Sequence, residues 1–161
     1  YQSMSGDASV GTGTFTAKDS TLITNKGDDF FVTNTTAVIN LTNTEITNNA
    51  GGAFLRAQTG KWGKSGSNGG KVTLNASDQE MNGDIVIDSI STLAMKMSKG
   101  SYYKGTINGD KTAKSISLSL SSDSVIVLTG DSYITSLTNT DSTNQNIYLN
   151  GHKLYVNGKA L

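Results

Sequence analysis

The feature that most constrains this chain is an internal repeat. Short runs of alternating apolar residues, each followed by a polar turn and a second short run, return at a regular interval. Thr14-Phe15-Thr16-Ala17 passes through Lys18-Asp19-Ser20 to Leu22-Ile23-Thr24-Asn25. Val38-Ile39-Asn40-Leu41 passes through Thr42-Asn43-Thr44 to Ile46-Thr47-Asn48. Three further segments, opening at Val72, Leu93 and Ile116, do the same. Phe15 to Ile39 spans 24 residues, while Val72 to Met95 and Met95 to Leu118 each span 23. Ile39 to Val72 spans 33, so one coil carries an insertion of about nine or ten residues. A base period near 23 falls in the range of stacked solenoid repeats.

Each repeat has room for a third short strand, at Phe30-Phe31-Val32, Ala53-Phe54-Leu55, Ile85-Val86-Ile87, Thr106-Ile107 and Tyr133-Ile134. Three strands joined by turns make one coil of a parallel β-helix. Alternate residues then point into a narrow shaft while the others face water. About six such coils at ~4.8 Å each give a rod roughly 30 Å long. The pattern predicts an all-β fold, a single-stranded parallel β-helix covering 1–161 as one domain. A β-sandwich also uses short strands and regular turns, but here the repeat runs in one direction. Asn25, Asn48, Asn82 and Asn108 recur near strand ends, where Asn tolerates left-handed backbone and can form a turn ladder.

Composition fits that geometry. Ser, Thr and Asn number 20, 21 and 15, enough to occupy the outward positions, while apolar residues make up 35%. Thirteen basic residues balance thirteen acidic ones, which is not the footprint of a general nucleic-acid binder. No apolar run approaches the ~20 residues of a membrane span. Without Cys there is no disulfide, thiolate metal site or Cys nucleophile. The chain opens at Tyr1 without Met, and Tyr1–Thr14 reads as irregular, so a C-terminal part or fragment of a longer protein is expected. The open ends of a β-helix expose unpaired strand edges, and flanking sequence or a partner is expected to cover the N-terminal coil.

The segments Phe31-Val32-Thr33-Asn34-Thr35-Thr36-Ala37-Val38-Ile39-Asn40-Leu41, Gly63–Leu74 and Gly83–Ser91, with the closing Tyr155-Val156-Asn157-Gly158, carry a family resemblance. They resemble the coils of bacterial right-handed parallel β-helix (pectate-lyase-like) cell-surface proteins, from about Gly13 to Leu161. The resemblance implies right-handed winding, an extracellular or cell-surface location, and an adhesive or carbohydrate-binding role. It implies no catalytic residue and no cofactor.

Lys26-Gly27-Asp28-Asp29-Phe30 resembles the Gly-Asp-Asp step of polygalacturonases, and Asn150-Gly151-His152-Lys153 resembles their His motif. Hydrolysis of that type needs two carboxylates close together. However, the family's upstream Asn-Thr-Asp step and its Arg-Ile-Lys clamp are absent, and His152 falls about five coils from Asp29. The sequence therefore predicts no enzyme, with a pectinase-like, polysaccharide-active enzyme using Asp28 and Asp29 as the alternative. Asp84, Asp88, Asp110, Asp123 and Asp131 lack the spacing of a calcium loop, so no metal is expected. Gly66–Val72 is not a phosphate loop, because Ser65 and Val72 stand where Gly and Ser or Thr are needed.

The insertion, Gln58–Gly70, is the place for a ligand. It holds the only Trp, Trp62, with Lys61, Lys64 and Asn68 beside it and Arg56 just upstream. Insertions in solenoids map to loops, and loops on a rigid frame often bind. A Trp face can stack on a sugar while amides and charges orient its hydroxyls. Alternatively, Trp62 folds back to cover the shaft, which favours a spacer with no ligand. Tyr102, Tyr103 and Tyr133 carry a related choice: an inward aromatic stack of Tyr103 on Tyr133 in successive coils, which is the expectation, or an exposed platform for a sugar. A glycan or surface polysaccharide is the expected partner.

Overall fold

The structure, a computed structural model, describes residues 11–161. Of the stretch Tyr1–Thr14 expected to be irregular, residues 1–10 lie outside the described residues, whereas Thr12, Gly13 and Thr14 are extended and open the first strand. The regular structure is all β and winds into six stacked coils. The first coil holds β1 (Thr12–Lys18), β2 (Thr21–Thr24) and β3 (Phe30–Val32). The second holds β4 (Thr35–Thr42), β5 (Glu45–Asn48) and β6 (Leu55–Ala57), and the third β7 (Gly70–Ser77), β8 (Glu80–Asn82) and β9 (Ile85–Ile87). In the fourth, β10 (Thr92–Ser98) and β11 (Tyr102–Gly105) are followed by a single bridging residue, Ile107 beside Ile85. The fifth holds β12 (Ser115–Leu120), β13 (Val125–Leu128) and β14 (Ser132–Ile134), and the sixth β15 (Ser136–Asn139), β16 (Ile147–Tyr148) and β17 (Leu154–Val156). A last strand, β18 (Lys159–Ala160), turns back on β17. No helix among the described residues is long and apolar enough to cross a membrane.

The first strands of all six coils pair in parallel as one six-stranded sheet, β1-β4-β7-β10-β12-β15. Strict alternation of buried and partly exposed residues along β4 and β7 marks which face looks inward. Ile39, Leu74, Met95 and Leu118 stack in one row across neighbouring strands, and Leu41, Ala76, Met97 and Leu120 in the next. The parallel β-solenoid expected from the repeat is thus the fold. Two neighbouring spacings differ from the sequence expectation. Ile39 lies beside Leu74, 35 residues on, rather than beside Val72, which stacks on Ala37 and Leu93 instead. The second is Leu74 to Met95 at 21 residues, in place of Val72 to Met95 at 23. A period-two pattern leaves a two-residue slip invisible, since Val72 and Leu74 both point inward.

The second face is broken between coils two and three, where β5 and β8 belong to different sheets. Gln79 repairs the break. Its Nε2 donates to the Thr44 carbonyl at 2.6 Å, and its Oε1 accepts from the Thr44 N–H at 2.9 Å. This buried amide replaces the missing backbone rung and satisfies groups that would otherwise be orphaned. At the preceding turns, Asp19, Asn43, Asp78 and Lys99 repeat a left-handed backbone, and the Asn43 Nδ2 donates to Asp19 at 2.8 Å. The ladder of Asn25, Asn48, Asn82 and Asn108 is not continuous. Asn25 is bonded by Asn49, whereas Asn82 donates to Glu80 and Asn108 bonds within its own turn and to Tyr133.

The tyrosines also depart from expectation. Tyr103 points inward between Met81 and Ile126, and its hydroxyl donates to the Gly83 carbonyl at 2.9 Å. Burial raises its pKa well above the usual phenol value. Tyr133 sits on a different face, points outward and stacks on Tyr155, with centroids 4.8 Å apart and rings 5° from parallel. The two aligned in sequence but fall in the second and third strands of their coils.

The two ends of the described stack differ. In the first coil, Phe15, Leu22 and Phe30 point inward with no coil above them among the described residues, and Phe15 is 40% exposed. They line a cavity of about 360 Å³, and Phe15, Phe30 and Phe54 meet edge to face at 5.6 Å each. At the other end, Asn157 and Gly158 both take positive φ, which forms the tight turn that lets β18 close the edge of β17 in antiparallel pairing.

The stacked core yields a direct stability expectation. Leu74→Ala should lower unfolding free energy by about 2–5 kcal/mol, because a fully buried side chain leaves a cavity between Ile39 and Met95. The neighbouring outward Thr73→Ala should change it by no more than about 0.5 kcal/mol. Urea unfolding followed by circular dichroism checks both.

Candidate functional site

The insertion leaves the shaft after β6 and returns at β7. Its base is pinned at several points. The Gln58 N–H donates to the Val32 carbonyl at 3.1 Å, and the Thr59 N–H to Asp88 Oδ2 at 2.7 Å. On the return side the Asn34 N–H donates to the Asn68 carbonyl at 2.9 Å. Within the loop, the Ser67 N–H donates to the Lys64 carbonyl at 2.9 Å, a turn at the tip. Gly63 has φ of 87° and lies so close to the Asn34 side-chain amide that a Cβ would collide with it. Residues 61–67 form an exposed tip held by a buried base.

Asn68 organises this tip from inside. It is only 5% exposed, and its Nδ2 donates to the carbonyls of Gly60 and Trp62, each at 3.0 Å. Its Oδ1 is buried without a hydrogen-bond partner. A buried acceptor left unpaired costs about 1–3 kcal/mol, so the two donated bonds bear the position's structural role. Arg56 likewise turns to the scaffold. Its Nε donates to Asp28 Oδ2 at 2.7 Å and its Nη2 to Asp28 Oδ1 at 3.3 Å, while that carboxylate also accepts from the Ala53 N–H at 2.8 Å.

Trp62, Lys61 and Lys64 remain at the solvent side. Trp62 is 47% exposed, so it does not fold back into a covered satellite core. Neither lysine takes part in an ion pair among the described residues. The structure therefore brings Trp62, Lys61 and Lys64 together on the tip, with Asn68 beneath them and Arg56 bound to the shaft. Asp88 is more than one of the scattered carboxylates. It holds the loop through Thr59 and closes its own turn through the Ile90 N–H at 3.2 Å. The Asp88-Ser89-Ile90 turn was the signal that could have revealed it.

Beside the tip lies a pocket of about 250 Å³ lined by Gly66, Ser67, Lys71, Ser89, Ile90 and Lys114. Lys71 also borders a second depression, of about 260 Å³, on the outer face of the six-stranded sheet among Thr36, Thr73, Thr92 and Ser115. Their convergence has no local sequence signal, because it requires coils two to five to be stacked in register.

The Gly-Asp-Asp step has a different environment. Asp28 is engaged by Arg56, as described. Asp29 accepts from Asn48 Nδ2 at 3.0 Å and borders the cavity of the first coil. Partial burial raises its pKa, hydrogen bonds from Thr24 and Asn48 oppose the shift, and Asp28 adds to it. His152 stands in the sixth coil with Nδ1 3.9 Å from Asp131 Oδ1. Among the described residues, no three His, Asp or Glu side chains come together in a metal-holding group.

Two outcomes follow from this geometry. Asn68→Ala should raise tryptic cleavage at Lys61 and Lys64 about tenfold or more, since local opening sets the rate. Trp62→Ala should leave that rate nearly unchanged. Asp29 carries a raised pKa, so its ionised form opposes folding, and this penalty grows as pH rises through the folded-state value. Asp29→Asn retains an acceptor for Asn48. It should gain stability relative to wild type at pH 7 and lose that advantage below the usual carboxylate range, as measured by melting temperature across pH.

A scan of protein-family models, a search of curated proteins and a search of solved structures each return no match to this chain.

Proposed function

We propose that this chain is a non-enzymatic β-solenoid segment of a bacterial surface protein, extracellular, and that it binds carbohydrate through its inserted loop. The observation that carries this reading is Trp62, an exposed aromatic on a tip whose base is fixed by backbone and Asn68 hydrogen bonds. A rigid platform of this kind loses little freedom when a sugar stacks on it. Lys61 and Lys64 share the exposed tip, make no ion pair among the described residues, and can orient polar groups of a ligand. The binding is shallow, along an outer surface, and needs no cofactor.

The engagement of Asp28 by Arg56 and by the Ala53 N–H argues against its use as an acid or base, and supports a non-catalytic role. A spacer without a ligand is the second reading. It is favoured by the regular coil stack and by the structural use of Arg56 and Asn68. In either reading, flanking β-structure or a partner covers the apolar first coil around Phe15, Leu22 and Phe30.

A glycan array with the wild-type chain and Trp62→Ala tests the binding reading. Saturable binding that falls about 30-fold in the variant is expected, corresponding to the ~2 kcal/mol of a hot-spot aromatic. Absence of binding to any glycan would leave the spacer reading in its place.

A further inference from the structure

We infer that the ligand of the Trp62 loop is an anionic glycan, one bearing carboxylate or sulfate groups. This deepens the carbohydrate-binding proposal and rests on it. The first observation is a local charge imbalance in a chain of zero net charge. From Ile46 to Ser77 there is no acidic residue, yet Arg56, Lys61, Lys64 and Lys71 fall in that stretch. Arg56 is neutralised by Asp28. The other three, with Lys114 from the fifth coil, make no ion pair among the described residues.

The second observation is where two of these lysines converge. Lys71 and Lys114 line the pocket beside the tip, with the hydroxyl residues Ser67 and Ser89, apolar Ile90 and the loop backbone at Gly66. No carboxylate lines it. The nearby Asp88 has one oxygen on the Thr59 N–H and the other on the Ile90 N–H, so it offsets part of the charge while serving the loop. Trp62 is four residues from Gly66, within about 14 Å of chain. One sugar on the ring and an acidic neighbour in the pocket are therefore within the reach of a short oligosaccharide. Lysine ammoniums act as mobile point charges that accept carboxylate or sulfate alike.

The third observation limits the partner's size. Lys71 stands near the start of β7, and the far end of that strand, about 20 Å away, opens onto a groove lined by Asp19, Glu45, Asp78 and Glu80. Lys18 and Lys99 lie beside it in sequence, which leaves this edge of mixed sign. A nucleic acid or an anionic membrane covering the whole width would meet those carboxylates. A short acidic glycan confined to the loop side would not.

The test is calorimetric titration of the full chain with four probes: an oligogalacturonate, a sulfated glycosaminoglycan oligosaccharide, a neutral cello-oligosaccharide of matching length, and a single-stranded oligonucleotide. At least one acidic glycan should bind, and its affinity should fall about tenfold between about 20 and 200 mM salt. Lys71→Glu with Lys114→Glu should cost about tenfold or more at low salt with unchanged circular dichroism, and Trp62→Ala should weaken the same binding. Preference for the neutral oligosaccharide, untouched by the charge reversals, would overturn the anionic inference and keep the carbohydrate-binding proposal. Equal binding of the oligonucleotide, insensitive to Trp62→Ala, would overturn it as nonspecific polyanion attraction. Failure of every glycan to bind would overturn both.

Discussion

Hydrogen bonding between successive coils is the constraint on which the rest of this structure depends. Each interior first strand pairs in parallel with the strand one coil before and one coil after, so equivalent residues are held one above another. Inward side chains must then stack on their counterparts, as Ile39, Leu74, Met95 and Leu118 do. The shaft is narrow enough that these rows fill it, which is why an apolar fraction of 35% suffices. Outward positions are released from the core and can be Thr, Ser, Asn or Lys. The same ladder makes breaks visible. Where β5 and β8 part, a buried glutamine stands in for the lost backbone contact, a local repair that keeps the stack continuous.

Much of the fold was legible because its period is written in alternating apolar residues, and because three strands per coil account for nearly every turn. What was not legible depended on register and on the third dimension. Alternation cannot distinguish Val72 from Leu74 as the partner of Ile39. It cannot tell that Tyr103 and Tyr133 occupy different faces, since each simply follows a turn. Gln79 reads as an ordinary polar turn residue until the gap it spans is known.

The inserted loop shows the same division. Its length, its tryptophan and its flanking lysines are plain in the sequence, and the exposed tip agrees with them. The parts played by Arg56 and Asn68 depend on partners far along the chain or hidden under the loop. Arg56 meets Asp28 across neighbouring coils, and Asn68 reaches backbone carbonyls that only a folded loop presents. Lys114 comes to the site from more than forty residues beyond Lys71. The shaft thus assembles a surface from residues with no local signature, and the insertion supplies the one group that advertises it.

Coupling between nearest neighbours alone has a mechanical consequence. The hydrogen bonds joining coils run along the solenoid axis, so tension along that axis opens them as a zipper, strand by strand, instead of shearing them together. The coil of β1, β2 and β3, bonded on one side only among the described residues, is the first to give. Each coil that peels away exchanges about 4.8 Å of rod for roughly 75 Å of extended chain. A stack of this kind is stiff under small loads and becomes a long, stepwise-extending tether under large ones.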